Sequence, residues 1–221
     1  MKDLLNLVKE NVEGICCMDI KTARELKQII PFGIAVRKVL ELGVHKGVSS
    51  AYFAALISEG SDRNNLEDSC IEGMDIRSVS SATKLLQRLN FGIPVNFQEL
   101  PYSYSFEIQK SLFSAEGQIF GRSFDLIYLD GSHQFEIDLS SLFIALNFLR
   151  PGGYLVIDDL KWSFYNSSLK RSRFVRRMSN YEKNVPHMSL IWELIKKDYF
   201  PLCNLLTINN GGIDIAQKIN N

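Results

Sequence analysis

The chain has 221 residues, 46% of them hydrophobic, and its 25 basic and 25 acidic side chains give a formal net charge of zero. This length fits one α/β domain with a substantial core and is short for two domains. The balanced charge argues against a general binder of nucleic acids or membrane surfaces, and no apolar run approaches membrane-spanning length.

Cysteine usage and the N-terminal sequence bear on the cellular compartment. The cysteines are Cys16, Cys17, Cys70 and Cys203. They show no C-x-x-C spacing, so we expect reduced thiols rather than disulfides or a zinc site. The N-terminal stretch is amphipathic but carries three acidic residues among short apolar pairs, and it therefore lacks the core of a signal peptide. We predict a cytoplasmic protein.

Helix and strand patterns alternate along the chain. Residues 1–37 predict an N-terminal helical cap, broken by Pro31 and Gly33, whose apolar face makes a homodimer contact plausible. Short apolar runs predict the strands, and helical spacing predicts the segments between them. After the cap we predict strand 39–42, a helix from 48, strand 70–74, helix 79–89, strand 95–100, strand 124–129, helix 135–149, strand 154–157, helix 190–197, and strands 205–208 and 213–216.

This order of elements predicts the fold class. Alternating β and α units indicate a parallel sheet, and Asn210-Gly211-Gly212 between the last two strands is a strong hairpin signal. We predict an α/β fold with a Rossmann-like, doubly wound, mostly parallel seven-stranded sheet and a C-terminal antiparallel hairpin. Residues 38–221 would form the main domain behind the helical cap.

The turn after the first predicted strand indicates which class of ligand the chain binds. The dinucleotide fingerprint G-x-G-x-x-G needs glycine where this chain has His45 and Val48, so no pyrophosphate site is predicted. The pattern that remains, Glu41-x-Gly43-x-x-x-Gly47, resembles the first motif of class I S-adenosylmethionine-dependent methyltransferases. Taken alone, the pattern also fits an ordinary strand-turn-helix.

Two later strand ends carry a more specific pattern. FDLIYLDGSHQFE at 124–136 and LRPGGYLVIDD at 149–159 place Asp-Gly-Ser-His after one strand and Asp-Asp after the next. This arrangement resembles the small-molecule O-methyltransferases of class I, most closely the branch of macrolide and rhamnosyl sugar O-methyltransferases and cephalosporin hydroxylase-like proteins. The resemblance covers residues 36–159 well. It implies transfer of a methyl group from S-adenosylmethionine to a hydroxyl of a small molecule.

The resemblance also implies which residues bind the cofactor. Asp75 follows the second strand, where a carboxylate can accept hydrogen bonds from both ribose hydroxyls of an adenosyl group. As an alternative, Asp75 caps the next helix. The implied cofactor-binding residues are Glu41, Gly43, Val44, Gly47, Ser49, Asp75, Ile76, Glu99 and Asp130.

Carboxylates at two strand ends predict a metal site. Neighbouring parallel strands that end at Asp130 and Asp158 would lie about 4.8 Å apart, and their carboxylates would converge. Asp130, Asp158 and Asp159 cannot all stay ionised at low cost without a cation, and Mg²⁺ suits such oxygen ligands. In the alternative, Asp158 or Asp159 caps the following turn and Asp130 only borders the cofactor.

The predicted catalytic residues are Asp130 and His133. A neutral imidazole with an ordinary pKa of about 6.5 can take a hydroxyl proton near neutral pH, so His133 is the candidate general base. A surface or helix-capping histidine is the alternative. Ser132 and His133 do not suggest a serine hydrolase, because adjacent residues cannot form the nucleophile-base geometry.

Residues 161–183, called the basic segment below, combine cations with aromatic side chains. Lys161 and Trp162 directly follow the proposed metal ligands and are predicted substrate contacts. The segment could be a lid that selects an anionic or aromatic acceptor, or a solvated basic face over core aromatics. Nucleic acid is a third option, which the neutral total charge disfavours.

Two other classes of function stay open. A metal-dependent hydroxylase would need redox iron, and no triad of two histidines and a carboxylate is evident near Asp130. A non-catalytic adenosyl-binding scaffold would share the cofactor motif. We favour the methyltransferase. The prediction includes a small hydroxylated acceptor and assistance by Mg²⁺, and it includes no nucleic-acid or membrane partner.

Overall fold

The computed structural model of the chain describes residues 3–12, 18–61, 66–100, 104–113, 123–198 and 202–219. The strands are β1 (Lys38–Leu42), β2 (Cys70–Asp75), β3 (Val95–Glu99), β4 (Phe124–Leu129), β5 (Leu149–Ile157), β6 (Leu202–Ile208) and β7 (Ile213–Lys218). The helices are α1 (Leu4–Asn11), α2 (Ile20–Ile29), α3 (Val48–Gly60), α4 (Ser80–Leu89), α5 (Tyr104–Phe113), α6 (Phe135–Ala145), α7 (Arg173–Arg177), α8 (Asn180–Asn184) and α9 (His187–Asp198).

The seven strands form one sheet in the order β3-β2-β1-β4-β5-β7-β6. The first five strands pair in parallel, whereas β7 runs antiparallel to both β5 and β6. The predicted Rossmann-like sheet with a C-terminal hairpin is confirmed. From β1 the chain builds outward to β2 and β3 on one side and later to β4 and β5 on the other. The crevice at such a reversal, beyond the carboxyl ends of the strands, is where open α/β sheets bind ligands.

The central strands are apolar because helices cover both faces of the sheet. Val39 and Leu126 are fully buried in a core cluster shared with α3, and Leu40 and Ile127 are fully buried in a second cluster shared with α6 and α9. Alternate residues of one strand point to opposite faces, so both layers of helices are held by the same short runs.

The predicted helix 135–149 extends too far, and the predicted strand 154–157 begins too late. The helix ends at Ala145, a 3₁₀ turn follows, and β5 already begins at Leu149. The β4–β5 register shifts between Phe124 and Leu126, and Gly152 has a φ of 74°. The glycine therefore permits an irregular start of β5.

The N-terminal part of the chain packs on the sheet's helical layer. Leu5, Val8 and Leu26, from α1 and α2, are buried in the core cluster that includes α3. Cys16 and Cys17 lie outside the described residues, and the division of the chain at residues 37 and 38 stays a prediction. Within the described ranges, no helix combines the length and the apolar character needed to cross a membrane.

Candidate active site

A cavity of about 630 Å³ opens at the carboxyl ends of the parallel strands. Four strand ends contribute to its lining, through Gly43 after β1, Asp75 at the end of β2, Asp130 after β4 and Asp158 after β5. The sequence predicted that these positions would converge on one crevice. The structure brings them together.

Gly43 allows the ends of β1 and β4 to approach each other closely. Its φ is 98°, and a Cβ atom at this position would lie 1.9 Å from the backbone oxygen of Asp130. Only glycine fits such a contact without displacing the backbone. Gly47 serves a different purpose, because a Cβ there would lie 2.7 Å from Cβ of Ala82 in α4. Gly47 thus permits helix packing and does not line the cavity.

Glu41 and Ser49 do not line the cavity either, contrary to the predicted cofactor contacts. The carboxylate of Glu41 is fully buried and accepts hydrogen bonds from the hydroxyls of Ser49 and Ser50. Burial raises the pKa of Glu41 to about 7. This acid ties β1 to the first turn of α3 and so holds the loop between them. Val44 also turns away, into an apolar cluster with Val79 and Ala82.

Replacing Glu41 with Gln should remove one source of pH-dependent stability. The pKa of the Glu41 carboxyl is about 7 in the folded protein and 4.5 ordinarily, so the folded state holds the proton more tightly than the unfolded state. Protonated Glu41 therefore stabilises the fold below pH 4.5, and this stabilisation is lost as the pH rises through 7. Relative to Glu41→Gln, the wild-type free energy of unfolding should fall by about 3 kcal/mol between about pH 4 and pH 8, measured by urea denaturation. Exposed Glu99→Gln is the control, and a wild-type profile parallel to that of Glu41→Gln would contradict this role.

Asp75 lies at the end of β2 and lines the cavity. Its Oδ2 accepts the backbone N–H of His45 at 2.7 Å, and its Oδ1 accepts that of Arg77 at 2.7 Å. Each oxygen retains a second lone pair that can accept from a ligand hydroxyl. The helix-cap alternative is wrong, since the N-cap of α4 is Val79. Ile76 also lines the cavity.

Glu99 pairs with Asp75 across β2 and β3 but does not reach the cavity. Its side chain is exposed on the edge strand, and it is absent from the residues that form the cavity wall in the described part of the chain. The prediction of a cofactor contact there rested on position alone. The edge of the sheet turns this side chain outward.

Three side chains meet closely enough to share one metal ion. Ligand atoms of Asp130, His133 and Asp159 all lie within 4.8 Å of one another. The Nε2 atom of His133 is 3.4 Å from Oδ2 of Asp159 and 3.9 Å from Oδ1 of Asp130. Burial, with repulsion from Asp158 and Asp159, raises the pKa of Asp130 well above its ordinary value, and burial raises the pKa of Asp159. A bound cation would relieve this cost.

Asp158 does not join that group, which corrects the predicted ligand set. One of its oxygens accepts a hydrogen bond from the Tyr128 hydroxyl, and the other accepts the backbone N–H of Asp159 at 2.6 Å. Burial raises the pKa of Asp158 to about 6. Asp159 reaches the group because its own backbone has a φ of 57°, which redirects the side chain.

His133 lies inside the cavity, so the alternative of a surface histidine is wrong. Its ring centroid is 4.4 Å from that of Trp162, and its side chain is 15% exposed. Burial, with repulsion from His187, lowers the pKa of His133 to about 4. The imidazole is therefore neutral at pH 7, as a base or a metal ligand must be. The α6 N-cap is Gln134, not His133.

Two supports of the His133 turn were missed by sequence reasoning. Asp138, buried on α6, accepts the backbone N–H of Ser132 at 3.0 Å, and burial raises its pKa to about 6. His187 accepts the backbone N–H of Phe135 on Nδ1 at 3.2 Å. An acidic residue within an otherwise apolar helix sequence could have indicated that Asp138 is buried and has a hydrogen-bonding role. Phe135 and His187 are 52 residues apart in the sequence, so no local pattern could have predicted their contact.

The N-terminal cap also contributes a wall that was not predicted. Met18, Asp19 and Thr22 line the cavity. Asp19 accepts the backbone N–H of Thr22 at 2.8 Å and thereby caps α2. The start of α2 is thus held at the mouth of the site.

Of the two predicted substrate contacts, only Trp162 lines the cavity. Lys161 instead donates a hydrogen bond from Nζ to the backbone oxygen of Asn210, in the β6–β7 connection. The long lysine side chain reaches that carbonyl and is drawn away from the site.

Comparisons with known proteins agree with this geometry. The sequence model of a family described as "Methyltransferase domain" matches residues 40–160. An O-methyltransferase from Bacillus cereus, solved with S-adenosylhomocysteine (SAH), has a TM-score of 0.63 and 17% identity over 100% of this chain and 92% of that one. TomG from Streptomyces achromogenes, an O-methyltransferase of tomaymycin synthesis solved with S-adenosylmethionine, has a TM-score of 0.62 and 14% identity over 100% and 91%.

A third structure of similar fold contains a metal. MycE, a methyltransferase of the mycinamycin biosynthetic pathway solved with Mg and SAH, has a TM-score of 0.59 and 17% identity over 100% of this chain and 56% of that one. At these identities the three structures establish the fold. No curated protein sequence matches the chain.

Proposed function

The chain belongs to the methyltransferase-domain family, whose sequence model covers more than half of it, and we propose that it transfers a methyl group from S-adenosylmethionine to a hydroxyl of a small molecule. One observation carries the proposal. The carboxylate of Asp75 and the group formed by Asp130, His133 and Asp159 line a single cavity. A nucleoside bound at Asp75 and a hydroxyl acceptor bound at this group would therefore be adjacent. Structures of the same fold were solved with S-adenosylmethionine or SAH.

The cofactor would lie along the ends of β1 and β2. Asp75 would accept the ribose hydroxyls, Ile76 would contact the base, and Gly43 would leave room for the backbone to approach the ligand. Glu41, Gly47 and Ser49 would act indirectly, by holding the loop. S-adenosylmethionine supplies an electrophilic methyl group, so the protein's task is alignment and deprotonation of the acceptor.

The donor set fits a divalent cation that prefers oxygen. Asp130 and Asp159 would hold Mg²⁺, which suits carboxylates and retained water better than imidazole. A cation held there supplies charge that lowers the pKa of a bound hydroxyl. Asp158 already accepts hydrogen bonds from the Tyr128 hydroxyl and from the backbone N–H of Asp159, so it would stabilise the ends of β4 and β5.

His133 would accept the hydroxyl proton on Nε2. That atom faces Asp130 and Asp159, and the ring is held against Trp162. A pKa of about 4 makes the His133 imidazole a weak base. A weak base is sufficient for a hydroxyl that has itself been acidified.

The alternatives are less well supported by this donor set. An iron-dependent hydroxylase commonly uses two histidines and one carboxylate, whereas the described residues gather one histidine and two aspartates. A non-catalytic adenosyl-binding scaffold would not need His133 beside the carboxylates. A homodimer, the absence of a nucleic-acid partner and a cytoplasmic location stay predictions.

Calorimetry combined with a turnover assay tests the proposal. We expect S-adenosylmethionine and SAH to bind, and Mg²⁺ to stimulate formation of SAH when a hydroxylated acceptor such as a catechol is present. Cofactor binding without turnover on any acceptor would favour the scaffold. Absence of cofactor binding would remove the methyltransferase function.

A further inference from the structure

The basic segment, residues 161–183, supplies one wall of the cavity. Trp162, Ser168, Leu169 and Phe174 line the cavity from this segment. Ring contacts continue from the site into the segment: Trp162 lies 4.4 Å from His133, and Phe164 lies 4.8 Å from Trp162, between ring centroids. A molecule that brings its hydroxyl to His133 would therefore contact this wall.

Buried residues fix the wall in place. Phe164 and Val175 are at most 1% exposed, and the backbone N–H of Trp162 donates to the oxygen of Asp159 at 3.0 Å. Phe174 packs edge-on against Phe164, with 5.6 Å between ring centroids. Apolar packing thus accounts for the position of the segment, without help from its charges.

The same segment concentrates positive charge. Between Asp159 and Glu182 the sequence contains no acidic residue and six basic ones: Lys161, Lys170, Arg171, Arg173, Arg176 and Arg177. All six residues are exposed, and Lys161 donates a hydrogen bond to Asn210. Among the described residues, no salt bridge or side-chain hydrogen bond engages the other five. Their charge is available to a ligand.

Three of these cations are sequence neighbours of residues that line the cavity. Lys170 and Arg171 follow Leu169 directly, and Arg173 precedes Phe174. Both apolar neighbours line the cavity, so the three cations lie within two residues of its wall. Arginine pairs well with carboxylates and phosphates, because its planar group offers two parallel donors.

The cavity wall therefore differs in charge between the strand ends and the basic segment. The strand ends contribute Asp75, Asp130 and Asp159, which repel an anion. The basic segment contributes the apolar surface of Trp162 and Phe174, and its cations are close to these residues in the sequence. We infer that the acceptor is a cyclic hydroxylated molecule that carries an anionic group, either a carboxylate or a phosphate. This inference rests on the proposed methyl transfer. Its hydroxyl faces His133, and its anionic group binds at Arg171 and Arg173.

Calorimetry on the SAH-saturated protein with Mg²⁺ tests this inference, using two matched pairs of probes: catechol with 3,4-dihydroxybenzoate, and glucose with glucose 6-phosphate. At low salt, the anionic member of at least one pair should bind about tenfold more tightly than its neutral partner. The preference should shrink as salt is added. The pair that shows it identifies a carboxylate or a phosphate.

Charge variants make the test specific. The double variant Arg171→Gln/Arg173→Gln should lose the preference, the charge-conserving Arg171→Lys/Arg173→Lys should keep most of it, and Lys84→Gln, exposed on α4, should keep all of it. No preference in either pair, a preference that survives the Gln variant, or tighter binding of a single-stranded oligonucleotide would each overturn the inference. Failure of SAH to bind would instead overturn the proposed function.

Discussion

Asp75→Asn should lower the affinity for SAH by about 100-fold, the loss expected when two hydrogen bonds to a charged acceptor are weakened. The carboxylate already accepts the N–H groups of His45 and Arg77, and it lines the cavity. An amide of the same shape offers only one accepting oxygen, so it cannot satisfy both backbone donors and two ribose hydroxyls. Isothermal titration with SAH measures the effect.

Asp125→Asn is a matched control for this substitution. Asp125 also accepts two backbone N–H groups, from Arg37 and Lys38, each at 2.8 Å. It lies near the start of β4, at the opposite end of that strand from Asp130. We expect a loss of stability without a loss of SAH affinity. Equal affinity losses in the Asp75 and Asp125 variants would show that Asp75 acts only through the fold.

Asp130→Asn should reduce metal-stimulated turnover by at least about 100-fold, because a cation that stabilises charge at the reacting oxygen contributes several kcal/mol. The SAH affinity should stay within about threefold of wild type, since Asp75 supplies the main contact with the nucleoside. Turnover measured across a Mg²⁺ titration checks both parts. Unchanged turnover at saturating Mg²⁺ would disprove a metal role for Asp130.

Asp159→Asn and Asp158→Asn distinguish the two ligand sets. Asp159 lies in the group with Asp130 and His133, so its variant should match Asp130→Asn. Asp158 is bonded to the Tyr128 hydroxyl, so its variant should weaken stability more than Mg²⁺ dependence. The reverse order would restore the ligand set that the sequence predicted.

Burial on both faces made the centre of the fold predictable. The strand Phe124–Leu129 was predicted with the bounds that the structure shows, because its apolar run is complete and Asp130-Gly131 ends it. Strand ends in a parallel sheet share one edge, and this placed Asp75, Asp130 and Asp158 together. The location of the cavity follows from these two rules.

The direction in which each site side chain points could not be predicted from the spacing of residues in the sequence. His133 and Asp159 have φ values of 58° and 57°, a left-handed conformation that no local pattern announces for these residue types. This is why Asp159 rather than Asp158 approaches His133. Glu41 likewise points away from the cavity, and two neighbouring serine hydroxyls donate hydrogen bonds to its carboxylate.

The walls of the cavity were missed because they come from irregular or distant segments. Asp19 belongs to the N-terminal cap, Leu169 to a 3₁₀ turn of the basic segment, and Phe174 to the short helix α7. Hydrophobic periodicity is weak in such stretches, so only tertiary packing reveals which residues face the site.

Anomalous diffraction from crystals grown with SAH and Mn²⁺ tests the central claim most directly. We predict the adenosyl group at Asp75 and a manganese peak at Asp130 and Asp159, both within the same cavity. A nucleoside bound elsewhere, or manganese bound away from these two carboxylates, would contradict the account.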